Sequence, residues 1–139
     1  MSNRLIESDN GWSVALINAR VGYIHVDFRV GIDICDATNT VSIVIETPFQ
    51  LRSTAGEATV VPDDVATVAP ILKLFNVGLD DIAIDLNGEL ALRFSNGDQL
   101  NVSASDKYEA WQIACVNEFL IVCQPGGAVS IFQESSPEV

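Results

Sequence analysis

The stretch Ile24-His25-Val26-Asp27-Phe28-Arg29-Val30-Gly31-Ile32-Asp33-Ile34 alternates an apolar residue with a polar one or glycine from end to end. Successive side chains leave a pleated backbone on opposite sides, so a period of two marks a strand with one buried face. The stretch reads as one long strand, or as two joined at a bend near Gly31. Ile24, Val26, Phe28, Val30, Ile32 and Ile34 would face the core, and His25, Asp27, Arg29 and Asp33 would face away from it together. The next alternation is Val41, Ile43, Ile45. A loop of Asp36 to Asn39 sets Ile34 opposite Val41, Ile32 opposite Ile43 and Val30 opposite Ile45, which puts every apolar residue of the hairpin on one side.

Downstream, the segment from Ser53 to Asp64 is rich in small and polar residues and reads as a loop. A short helix around 67–76 follows, with Thr67 as N-cap and Pro70 in the first turn, where its missing N–H has no intrahelical partner to lose. Val68, Ile71, Leu72 and Phe75 would share its face, with Gly78 just past its end. Two Asn-Gly pairs come next, and register decides how they turn. Three-residue loops, Leu86-Asn87-Gly88 and Ser95-Asn96-Gly97, set Ile84 opposite Leu90, Ile82 opposite Leu92, Leu92 opposite Leu100 and Leu90 opposite Val102. Each loop then ends in a glycine at the left-handed position.

The remaining strands are Glu109 to Val116, Phe119 to Cys123 and Ala128 to Phe132, with Pro125-Gly126 suited to the centre of a type II turn. Phe119-Leu120-Ile121-Val122-Cys123 has no polar alternation, so it is either covered on both faces or meets another subunit. A tight turn at Asn117-Glu118 would pair Val116 with Phe119 and set Cys123 opposite Gln112. Cys35, Cys115 and Cys123 are then expected as buried thiols and not as a disulfide. The expected fold is mostly β with a minor helical part: antiparallel hairpins and a meander forming a sandwich or partly open barrel. Residues 1–139 make a single domain, with loose ends at 1–12 and 133–139.

Composition narrows the function. The 139 residues carry 19 acidic and 7 basic side chains, a net charge of -12, beside a hydrophobic fraction of 48%. Phosphate binding relies on Lys and Arg, so the balance argues against nucleic acid and against an anionic membrane surface, and fits a protein partner with a basic surface. No apolar run is long enough to span a bilayer and Met1 to Asn10 lacks a signal-peptide pattern, so a cytoplasmic location is expected.

Little in the chain points to catalysis. His25 is the only histidine to activate a nucleophile and it lies on a polar strand face, without a G-x-S-x-G elbow. Asp85, Asn87 and Glu89 have a spacing loosely like a calcium loop but lack its other ligands, and one histidine with three scattered cysteines makes no zinc site. Without a Gly-rich phosphate loop, no cofactor or metal is expected. The candidate partner-binding residues are Asp27, Arg29 and Asp33 on the polar strand face, and the acidic cluster Asp80, Asp81 and Asp85. Trp111 and Tyr108 have the chemistry of interface anchors, although strand aromatics are more often core.

Three segments carry a family resemblance: Gly88-Glu89-Leu90-Ala91-Leu92-Arg93-Phe94-Ser95-Asn96-Gly97, Tyr108-Glu109-Ala110-Trp111, and Pro125-Gly126-Gly127-Ala128-Val129-Ser130-Ile131-Phe132. Together with the Pro-Ile-Leu-x-Leu helix they resemble a family of small bacterial proteins classed as a domain of unknown function. In that family a G-x-L-x-L-x-F-x-x-G hairpin precedes Y-E-A-W and a closing P-G-G strand. Phe132 stands where the family tends to have Trp. Such proteins are similar in size and style to immunity proteins that neutralise toxins of neighbouring bacteria, an analogy of class that carries over no catalytic residue. The resemblance and the charge together imply a non-catalytic, acidic, immunity-type protein that blocks a basic toxin or effector by occupancy. The alternatives are a self-assembling module, a homodimer through Phe119 to Cys123, and a hydrolase working with two carboxylates.

Overall fold

The structure, a computed structural model, describes residues 4–133. In chain order its strands are β1 (Leu5–Ser8), β2 (Gly11–Val14), β3 (Arg20–Val26), β4 (Val30–Cys35), β5 (Thr40–Ile45), β6 (Phe49–Ser53), β7 (Gly56–Val60), β8 (Leu79–Asp85), β9 (Leu90–Phe94), β10 (Gln99–Val102), β11 (Trp111–Cys115), β12 (Phe119–Cys123) and β13 (Val129–Gln133). They form a seven-stranded antiparallel sheet, β1-β2-β8-β9-β10-β6-β7, and a six-stranded one, β13-β12-β11-β5-β4-β3. The architecture is sandwich-like and mostly β, as the alternation implies. Leu5–Ser8 and the start of Gly11–Val14, expected within the loose end 1–12, belong to a hairpin that extends the larger sheet. Gln133 closes β13, and the rest of the other expected loose end, 134–139, lies outside the described residues.

The opening alternation is two strands, and the break is not at Gly31. The chain turns at Asp27-Phe28-Arg29: the Asp27 N–H donates to the Arg29 carbonyl at 3.0 Å, and Phe28 has φ of 67°. Ile24 faces Ile32 and Val26 faces Val30. A turn of three residues preserves parity, so the period of two runs through it unbroken and hides it from a reading of pattern alone. Phe28 accordingly leaves the core and is 81% exposed.

Other registers stand as read. Val30 pairs with Ile45, Ile32 with Ile43 and Ile34 with Val41. The β8-β9-β10 meander pairs Ile84 with Leu90, Ile82 with Leu92, Leu92 with Leu100 and Leu90 with Val102. Its two loops end in left-handed glycines, with φ of 85° at Gly88 and 95° at Gly97.

Three local readings change. Gly56–Val60, expected within a loop, is an edge strand paired with β6; its small side chains hide the pattern, since Val60 alone among them is fully buried. The helix is two 3₁₀ segments, Val65–Thr67 and Ala69–Leu74. Asp64 and not Thr67 caps the first, accepting from the Ala66 N–H, and the Thr67 hydroxyl bonds the Val61 and Asp64 carbonyls. A 3₁₀ helix repeats every three residues, so Ile71 and Leu74 are buried while Leu72 and Phe75 are exposed. Finally, Val116-Asn117-Glu118 is the turn, with Asn117 at φ of 66°, so Cys115 faces Phe119 and Gln112 faces Val122, not Cys123. The three thiols are free; Cys115 and Cys123 are buried and Cys35 is exposed.

The inner faces of both sheets feed one buried cluster that includes Ile32, Ile43, Ile82, Leu92, Leu100, Ile113 and Ile121. Each such side chain contributes about 1.5–3 kcal/mol by leaving water. A polar bond crosses this layer: the indole N–H of buried Trp111, on the smaller sheet, donates at 2.9 Å to the carbonyl of Gly88, in the β8–β9 turn of the larger. The Cys123 thiol reaches the same carbonyl at 3.4 Å. Trp111 is therefore core, and Tyr108 is exposed.

Candidate functional site

Strand β3 is the edge of the smaller sheet, and the β3–β4 hairpin gathers one set of predicted residues. Registers place Tyr23 beside Asp33, and Asp33 beside Ser42, on the outer face; His25 lies over Gly31 on the same face. His25 Nε2 is 3.4 Å from an Asp33 carboxylate oxygen, and the Tyr23 ring meets the imidazole edge-on with centroids 4.2 Å apart. At the tip, Arg29 and Asp27 pair at 3.2 Å on either side of Phe28. Asp27, Arg29 and Asp33 therefore share one hairpin with three exposed rings, Tyr23, His25 and Phe28. The sequence reading missed the aromatic half of this surface because it assigned Phe28 to the core.

His25, Asp33 and Ser42 are not placed as a hydrolytic triad. In a hydrolytic triad the imidazole stands between hydroxyl and carboxylate. Here Asp33 occupies the strand between His25 and Ser42, and two strand spacings, about 9–10 Å, separate the histidine from the serine.

Asp80, Asp81 and Asp85 sit on β8 of the other sheet and do not join this surface. Asp81 faces Arg93 at 3.7 Å, and Asp80 is exposed beside a register shift. One oxygen of Asp85 accepts the N–H groups of Asn87 at 2.8 Å and Glu89 at 2.9 Å, so this carboxylate closes the β8–β9 turn. Among the described residues no group of three or more His, Cys, Asp or Glu is placed to hold a metal ion. No helix there is long and apolar enough to cross a membrane.

A buried polar network escaped the sequence reading altogether. The Asp36 side chain, 1% exposed, accepts from Arg4 at 2.6 Å and from the N–H groups of Thr38 at 2.9 Å and Asn39 at 3.1 Å. Arg4 also donates to the Thr38 hydroxyl and approaches Glu118, which in turn accepts from Asn39 at 2.9 Å and from the Cys115 thiol at 3.1 Å. Burial pushes the Asp36 carboxyl up, but Arg4 and the Thr38 and Asn39 donors outweigh it and hold the group well below the usual carboxylate range. Burial and then the Glu118 carboxylate push the Cys115 thiol up to about 12, which keeps it protonated and poorly nucleophilic. Positions 4, 36 and 118 are too far apart in sequence for any motif to link them. The Asp-x-Thr-Asn turn was the one local sign.

A family model, Family of unknown function (DUF6188), matches residues 12–133, nearly the whole described chain. The protein belongs to this family. Neither a curated protein nor a solved structure matches the chain. The DUF6188 region runs from Trp12 in β2 to the last residue of β13. The β3–β4 hairpin and the side chains of Asp36, Thr38 and Glu118 that meet Arg4 lie within it, whereas Arg4 itself precedes it.

Proposed function

We infer that this DUF6188 protein acts by binding another protein through the tip and outer face of the β3–β4 hairpin. The carrying observation is Phe28, held with a left-handed backbone and 81% of its surface in water. A bulky residue at positive φ is strained by about 1–3 kcal/mol, and its ring gains nothing from exposure. A binding partner that buries the ring accounts for both. Aromatic anchors ringed by polar groups are the usual centre of a protein interface, and Asp27, Arg29, Asp33 and Tyr23 supply the ring of polar groups.

The partner's chemistry follows from charge. A chain of net charge -12 draws a basic surface, and the acidic side chains of the hairpin would steer it. An immunity-type role, in which a basic toxin or effector is neutralised by occupancy, is the specific form we propose; such proteins are encoded beside their toxins, so a toxin-like gene found next to this one would support it. The test is capture from the native host at low salt with the wild type and with Asp27→Lys/Asp33→Lys. The wild type should retain a basic protein that salt releases, and the reversed variant should lose it. Equal retention by both would move the binding surface off this hairpin.

A further inference from the structure

Both sheets end in edge strands, and an unguarded edge is a template for pairing with another chain. Three of the four edges are guarded. β1 carries Glu7, β7 carries Glu57, and β3 carries Arg20, His25 and a register shift between Val21 and Tyr23. The fourth, Val129-Ser130-Ile131-Phe132-Gln133, has no charge, no proline and an unbroken register with β12. Phe119–Cys123, expected as the self-pairing strand, has both edges occupied, by β11 and β13, and among the described residues nothing pairs with the outer edge of β13.

The ladder fixes which groups are available. The Gln124 N–H donates to the Ala128 carbonyl at 2.7 Å, so these two form a hydrogen-bonded pair. In an antiparallel ladder such pairs alternate, which makes Val122/Ser130 and Leu120/Phe132 bonded pairs as well. The N–H and C=O groups of Val129, Ile131 and Gln133 therefore point outward along the free edge.

We propose that β13 pairs antiparallel with β13 of a second copy, centred on Ile131, and joins the two smaller sheets into one. Two-fold symmetry makes a copy of this chain the fitting occupant. In that register Ile131 faces its equivalent, and Ser130 faces Phe132 of the other copy. The ring of Phe132, 58% exposed, thus lies beside a small residue, and the symmetry repeats that match. On the inner face, Val129 and Ile131 pack against the core but stay only half-buried, and the second copy covers them. Charge points the same way. The outer-face row Phe132, Leu120, Ala114 is uncharged, so the strand residues that meet across the two-fold bring no like charges together in a chain of net charge -12. One five-residue edge falls short of the roughly 800 Å² per partner of a stable interface, so the dimer is reversible.

Sedimentation equilibrium of the full chain over a concentration series tests this. The mass should rise from one chain toward two, and more readily at high salt, which screens self-repulsion. Phe132→Lys should raise the dissociation constant tenfold or more, and so should Gln133→Pro, which removes one outward N–H at an exposed position. Both variants should keep the wild-type far-ultraviolet circular dichroism. A monomer at every concentration and salt overturns the proposal, as does a dimer that both variants leave unchanged. Salt acts in opposite directions on this dimer and on capture of a basic protein, so the two readings stand or fall separately.

Discussion

Phe28 and Asp36 show two opposite uses of a polar loop. Phe28 carries strain on the surface, so Phe28→Gly should relieve the left-handed backbone and leave stability within about 1 kcal/mol of wild type, the gain being offset by the freer unfolded chain. Thermal melts would check this, and the same variant should bind the proposed basic partner at least tenfold more weakly. Asp36 is the reverse, a buried charge whose worth is internal. Asp36→Asn leaves the Arg4 guanidinium without its nearest counter-charge and should cost about 3 kcal/mol, read by urea unfolding. The sign of the pH dependence follows. A carboxyl held below its ordinary value of about 4 contributes fully above that pH, and the contribution is lost as pH falls below it. The wild type should lose stability steeply below about pH 4, and Asp36→Asn less steeply, in melts from pH 7 to pH 3.

The hairpins were the legible elements, because apolar pairing fixes a register wherever one face is buried. Ile32 with Ile43 and Ile82 with Leu92 needed nothing beyond the spacing of apolar residues. Turns that preserve parity were harder to see: Asp27-Phe28-Arg29 left the alternation intact and so concealed the tip that became the candidate site. Small-residue strands such as Gly56–Val60 gave no apolar signal at all. The two Asn-Gly turns look alike in sequence but not in packing. A Cβ at Gly88 would lie 2.6 Å from the Gly127 carbonyl and 2.9 Å from the Cys123 sulfur, whereas one at Gly97 would meet nothing within 4 Å. Gly97→Ala should therefore cost about 1 kcal/mol, from backbone strain alone, and Gly88→Ala about 3 kcal/mol or more, measured side by side in denaturant. Equal losses would mean that the contact between the β8–β9 turn and the β12–β13 turn contributes little.

At the scale of the whole molecule, sequence pattern was silent on sheet order, since which hairpin lies beside which is settled by packing of faces and not by any local signal. β5 borders β11, β2 borders β8 and β6 borders β10, each pair far apart in the chain. The network of Arg4, Asp36 and Glu118 was invisible for the same reason. This topology also has a temporal consequence. Loop closure must precede every one of those pairings, so the chain should refold in milliseconds to seconds, as sheet proteins dominated by distant contacts do. Trp111 lies on β11, which pairs with β5 and bonds across to Gly88, so its indole enters an apolar, hydrogen-bonded setting only when both sheets have met. In a Trp12→Phe background, where it is the one tryptophan left, its fluorescence should lag behind the far-ultraviolet signal of the hairpins in a stopped-flow experiment, a clock built into the core that times the docking of the two halves.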